Sequence, residues 1–341
     1  MFGGPENSLR MQERNSNETQ DARLSFIDIS KGIGIILVIC SHVYSPLMQW
    51  ANPCFIPIFF VVSGYCTTHL VSVKKKFNKL MLPYLLFNII LLVLYRDYKP
   101  VNFIGAIYSR FCLYPIDSKT NIYFFNSGNS PLWFLTSMFL AFCFYKIIQL
   151  SKQPYHIVII YIAITYILSY LPILLPWSAD TALLMSVFIL VGSFIGETKL
   201  LDRLCFPAFL LSAIIYGVLT LLCGGINLSV RVYGSSLFLL IPTAILGCVL
   251  LMKFSSIIDK TFIGIVLQKI GIHSLSIFSL HIPVLGFWQH LLSSVPFVMH
   301  SPYIIGVLIV SLTIVVMYPI AVIWDKLYKK LMLDLHISNR H

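Results

Sequence analysis

Ten apolar runs recur along this 341-residue chain, and nothing else in it limits the possible folds so strongly. A bilayer core of ~30 Å takes about 20 apolar residues of helix and holds no water to satisfy an unpaired backbone group. A chain made mostly of such runs therefore folds as membrane-spanning helices. The runs lie at 26–44, 54–73, 80–95, 131–148, 156–175, 181–196, 204–222, 236–252, 270–291 and 303–324. Composition agrees, with 58% hydrophobic residues, 11% charged and a mean hydropathy of +0.85, far from a soluble domain. The expected fold is all-α, a polytopic membrane helix bundle of about ten transmembrane helices. It forms one membrane domain over 26–324, between a polar segment at 1–25 and a tail at 325–341.

An even number of spans puts both termini on one side, and the basic residues say which. With a cytoplasmic N-terminus, 18 lysines and arginines fall in inside segments and 5 outside, with Lys31 inside the first run. This positive-inside bias supports two cytoplasmic termini and an even number of spans, and a multi-pass protein of a bacterial-type cytoplasmic membrane is expected. The lead-in MFGGPENSLRMQERNSNETQDARLS is polar and has no apolar core, so it reads as a soluble segment and not as a cleaved signal. The net charge of +11 is spread between apolar runs, which fits topology better than nucleic-acid binding. Eight cysteines are scattered with no C-x-x-C pair, so neither a metal site nor a disulfide framework is expected. The connection at 96–130 and the amphipathic stretch TFIGIVLQK before the ninth run are the two places where the chain is expected to lie along the interface or re-enter the membrane.

Ionisable groups inside apolar spans cost several kcal/mol or more, so they are where function is sought first. They are Asp28, Lys31, His42, His281 and Glu197. At 100° per residue, the eleven steps from Lys31 to His42 end about 20° past three full turns, and the rise is about 16 Å. Asp28, Lys31 and His42 thus share a face, a cation near the cytoplasmic rim below an imidazole well inside the membrane, along one groove. A linear ligand with an anionic end and a reactive end, such as an acyl-coenzyme A, fits that arrangement. A neutral imidazole in an apolar setting is a good general base for deprotonating a hydroxyl. The plainer alternative is that Lys31 snorkels to the interface, Asp28 pairs with it and His42 hydrogen-bonds a neighbouring helix.

The segment FIDISKGIGIILVICSH at 26–42 resembles the opening signature of the acyltransferase 3 family: an Asp, an Arg-Gly three residues on, and a His after ten intervening residues. PIFFVVSGY at 57–65, KKKFNKLMLPY at 74–84, NSPLWFL at 129–135 and KIGIHSLSIFSLHIPV at 269–284 resemble four further stretches of that family, in order. The resemblance covers nearly the whole chain. It implies an integral membrane O-acyltransferase with His42 as catalytic base, Lys31 where the family has the arginine of the acyl-coenzyme A site, and Lys75, Lys76 and Lys79 near the coenzyme's phosphates. Asp28 would orient or balance the cation. Lysine at 31 keeps the charge but lacks the planar fork of arginine.

Other residues carry a packing reading beside a functional one. Ser63 precedes Gly64 in the second run, where small residues let helices approach. Trp133 stands at the outer end of its run, as aromatic belt residues do. His281 lies deep enough in the ninth run to approach His42 or to bond a neighbouring helix. There is no His-x4-Asp, H-E-x-x-H, G-x-S-x-G or P-loop. The expected activity is transfer of an acetyl or similar short acyl group from acetyl-coenzyme A, or another acyl-coenzyme A, without a metal. The expected acceptor is a hydroxyl of a cell-surface or lipid-linked carbohydrate, an O-acetylation that modifies a polysaccharide. With 17 residues after the last run, the membrane domain is expected to complete the transfer alone, meeting the acceptor at the membrane. A transporter or flippase for a glycan or small solute is the alternative from another class.

Overall fold

Each of the ten runs holds a helix in the computed structural model, which describes residues 24–115, 120–124, 130–293 and 302–338. Among these residues are fourteen α-helices: α1 (Ser25–Cys40), α2 (Leu47–Ala51), α3 (Pro57–Tyr65), α4 (Val73–Tyr95), α5 (Pro100–Tyr108), α6 (Trp133–Leu150), α7 (Pro154–Leu168), α8 (Ala179–Thr198), α9 (Leu200–Arg203), α10 (Phe206–Cys223), α11 (Leu237–Ile257), α12 (Phe262–Ile272), α13 (Ser274–Ser293) and α14 (Pro302–Ser338). One small hairpin, β1 (Ile226–Asn227) and β2 (Val232–Tyr233), is paired antiparallel. The lead-in before Leu24, including Arg10, Arg14 and Arg23, lies outside the described residues, as does Lys119.

Among the described residues seven helices are long and apolar enough to cross a membrane: α4, α6, α8, α10, α11, α13 and α14. The remaining three expected spans are shorter, with 16 residues in α1, 9 in α3 and 15 in α7. Nine residues rise only about 14 Å. α3 tolerates this because Ile58, Phe60, Val61 and Val62 are wholly buried among other helices. Its expected continuation, 66–72, is not helical, and Thr67, Thr68 and His69 of that segment line a cavity. Non-helical backbone at membrane depth is tolerated in such a place. The first run also stops early, at Cys40. The Ser41 hydroxyl donates to the Val38 carbonyl at 2.6 Å and competes with continuation of the helix.

Two glycine crossings bring the central helices together. On α1, a Cβ at Gly32 would sit 2.1 Å from the Leu267 carbonyl oxygen, and one at Gly271 of α12 would sit 1.7 Å from that of Asp28. α3 and α8 cross in the same way, with a Cβ at Gly64 or Gly192 placed 1.9 Å from the carbonyl oxygen of Ile189 or Val61. Any side chain at these positions would push the helices apart. The TFIGIVLQK stretch is therefore a helix pressed on α1, with Phe262 and Ile263 exposed on its outer side. Burial is graded across the bundle: 72% of the apolar window is enclosed in α6 and in α8, against 11% in α10, whose outward residues include Leu211, Ile214 and Leu222.

The last helix continues past the expected span end at 324, so the tail begins as helix. Trp324 packs on Phe87 at 4.9 Å, the Tyr328 hydroxyl donates to the Asn78 carbonyl at 3.0 Å, and Asp325 pairs with His273 Nδ1 at 2.5 Å and accepts from the Ser276 hydroxyl. These contacts tie it to α4 and α13.

Candidate active site

His42 follows the end of α1 by two residues, held by its own N–H to the Ile39 carbonyl at 3.1 Å. Its carbonyl accepts from Gln289 Nε2 at 3.0 Å. The side chain is open to a cavity of about 420 Å³ at the end of the bundle opposite the lysine run, with Ser41, Asn52, Trp133, Asn227 and Ser229 among the lining. Trp133 is 5% exposed, so it faces this interior cavity and does not form part of a lipid-facing belt.

His281 is completely buried on α13, its ring centroid 5.2 Å from that of His42. Its Nδ1 lies 2.7 Å from the Phe278 carbonyl oxygen. A carbonyl only accepts, so Nδ1 carries the proton and Nε2 presents a lone pair. That Nε2 has no hydrogen-bond partner among the described residues.

The lysine end holds two adjoining cavities that share Lys31 and Lys79. The larger, about 970 Å³, is also lined by Asp28, Tyr65, Thr67, Thr68, His69, Ser193 and Glu197. The smaller, about 190 Å³, is lined by Ser63, Phe59, Phe134 and Phe278 among others. Lys31 Nζ lies 3.3 Å from the Asp28 carboxylate, with Asp28 enclosed and the lysine side chain 26% exposed. Glu197 accepts from the Ser193 hydroxyl at 2.9 Å. Of the lysine run, only Lys79 joins Lys31. Lys76 lies over the Phe142 ring at 3.5 Å, and Lys75 is exposed on the surface, outside both linings.

The expected single groove is instead two chambers, the adjoining lysine-end cavities together forming one of them. Asp28 and Lys31 line one, His42 the other, and phenylalanine rings fill the space between. Asp28 and Lys31 stand on α1 while His42 lies beyond its end, and helical spacing says nothing about what neighbouring helices insert between them.

A second ionic group went unseen among the loop charges. Asp180 at the start of α8 pairs with Arg110 and lies 3.3 Å from Arg231 Nε, all three side chains being enclosed. Arg110 also donates to the carbonyls of Leu175 at 3.1 Å and Ser229 at 2.6 Å, and Arg231 to those of Leu168, of Leu171 at 2.7 Å and of Ile173 at 3.0 Å. The cluster pins the loop carrying Asn227 and Ser229 over the His42 chamber. Two arginines in segments assigned to the outside, against the charge bias, were the available signal.

A family profile described as an acyltransferase domain matches residues 24–322. No curated protein and no solved structure matches the chain. The profile match runs from the start of α1 into α14 and takes in every residue that lines the two chambers, so this multi-pass membrane protein belongs to the acyltransferase 3 family.

Proposed function

We propose that this acyltransferase moves an acetyl or similar short acyl group from an acyl-coenzyme A to a hydroxyl of a cell-surface or lipid-linked carbohydrate, in the cytoplasmic membrane. One observation carries the reading: a chamber with two lysines at the basic end of the bundle, and a chamber with an open histidine, amides and an indole at the other. Phosphates suit the first, since ammonium groups bind them by charge-assisted hydrogen bonds. A sugar suits the second, where Trp133 offers an apolar face and Asn52, Asn227 and Ser229 offer hydrogen bonds.

In the proposed step His42 takes the acceptor's hydroxyl proton as the oxygen attacks the thioester carbonyl. The resulting tetrahedral intermediate collapses with breakage of the C–S bond, and the imidazolium returns the proton to the leaving thiolate. The products are the ester and free coenzyme A. The Nε2 lone pair of His281 beside His42 is suited to orient the base through the hydrogen His42 carries when neutral, a positioning role. Asp28 holds Lys31 in place and offsets its charge while the chamber is empty.

The test is mass spectrometry of surface glycans from cells with and without the gene, together with acetyl-coenzyme A binding by the purified protein. An acyl group present on one sugar only when the chain is present is the expected result. Unchanged glycans and no coenzyme binding would contradict it.

A further inference from the structure

The His42 chamber and the smaller lysine-end chamber have one lining residue in common, Phe278. Its ring is 3% exposed and packs on Phe134 at 4.5 Å and on Phe59 at 6.3 Å, with Phe59 and Phe134 themselves 5.5 Å apart. Phe59 and Phe134 line only the lysine side, and Trp133, one residue before Phe134, lines only the other. Three rings from α3, α6 and α13 thus make a partition across the path between the cation and the base. From the place of Phe59 in it, the partition has a built width. Gly34 of α1 faces that ring so closely that a Cβ there would lie 3.0 Å from its Cζ and the same distance from Ile58 Cγ2.

We propose that Phe278, with Phe59 and Phe134, is the size filter for the acyl group. This rests on the transfer reaction proposed above. With the coenzyme's phosphates at Lys31 and Lys79, the thioester has to pass Phe278 before its carbonyl meets a hydroxyl at His42. The Phe278 ring must rotate or shift to let it through, and the room it yields sets the largest acyl group admitted. The backbone carbonyl of the same residue accepts from His281 Nδ1, so the filter is joined to the histidine that stands against His42. Ordinary core packing would account for three rings in contact, but not for their having a cavity on each side and two lysines lining one of them.

The filter predicts opposite effects from opposite changes in volume, which packing alone does not. Phe278→Ala removes a ring from the opening, and Phe278→Leu removes less should the alanine variant fold poorly. Gly34→Ala presses Phe59 into it. Purified wild type and variants are given acetyl-, butyryl- and hexanoyl-coenzyme A with an excess of acceptor glycan, and initial rates of transfer are compared. Because one methylene in an apolar pocket changes selectivity roughly 10- to 200-fold, the hexanoyl-to-acetyl rate ratio is expected to rise at least about tenfold in Phe278→Ala, to rise less in Phe278→Leu and to fall in Gly34→Ala. A ratio unchanged in folded Phe278→Leu and Gly34→Ala, with wild type active on acetyl-coenzyme A, overturns the filter and leaves the reaction standing. A wild type that uses none of the three donors overturns the reaction, and the filter with it.

Discussion

Asp28 and Asp180 are both enclosed carboxylates paired with cations, yet they are spent differently. Asp180 accepts from Arg110, from the Leu175 N–H at 3.0 Å and from the Thr181 N–H at 2.8 Å, with Arg231 beside it, and the two arginines are turned onto loop carbonyls. Asp28 sits at the wall of a chamber, and the lysine it holds reaches into that chamber. A closed ionic group fixes structure, and one whose cation faces open space is available to a ligand. In sequence the two look alike, each an acidic residue near the start of an apolar run. What separates them is whether the cation's remaining donors are already used.

The comparison breaks most visibly at Asp180. Replacing it with alanine leaves two buried guanidinium groups without a counter-ion, a loss of about 3–5 kcal/mol. Thermal unfolding in detergent should show a large fall in midpoint or no folded protein, whereas Asp28→Asn should fold. Lys31→Met made together with Asp28→Asn, so that no enclosed carboxylate is left without its cation, should fold and raise the KM for acetyl-coenzyme A by roughly 10- to 100-fold, the value of one charge-assisted hydrogen bond, with Lys31→Arg near wild type. An unchanged KM in that double variant would make the Asp28 pair structural after all. A smaller effect is expected at Trp133→Leu: an increase of roughly 3- to 10-fold in the KM for the acceptor, as for loss of one aromatic contact, with the coenzyme KM unmoved. Smallest is Lys75→Met, for which steady-state kinetics should give values within a factor of about 2 of wild type, as for a surface charge outside the chamber.

Much of this was legible in the sequence because a membrane simplifies the reading. Each of the ten runs holds a helix, and Gly64 beside Ser63 does mark a helix crossing. His42, His281, Trp133, Lys31 and Lys79 do line chambers or, for His281, stand against the His42 ring. What could not be read depends on contacts between distant segments. α1 ends at Cys40, just before His42, although the apolar pattern runs on to 44. Arg110, Asp180 and Arg231 lie in three separate segments, so their meeting has no spacing to betray it. Phe59, Phe134 and Phe278 are ordinary apolar residues of three spans until their helices bring the rings together. Lys75 and Lys76 are grouped with Lys31 by the family resemblance alone, and the turn of α4 leaves Lys79 alone of the three on the chamber side.

Transfer through His42 is tested most directly by one paired measurement on purified wild type and His42→Ala in liposomes: acetyl-coenzyme A binding, and incorporation of labelled acetyl into acceptor glycan. The expected result is equal binding in both proteins, with incorporation lower in His42→Ala by about 10²- to 10⁴-fold, the usual share of a general base. Equal incorporation by the two proteins, or glycan movement across the bilayer with no coenzyme-dependent label in wild type, would contradict it.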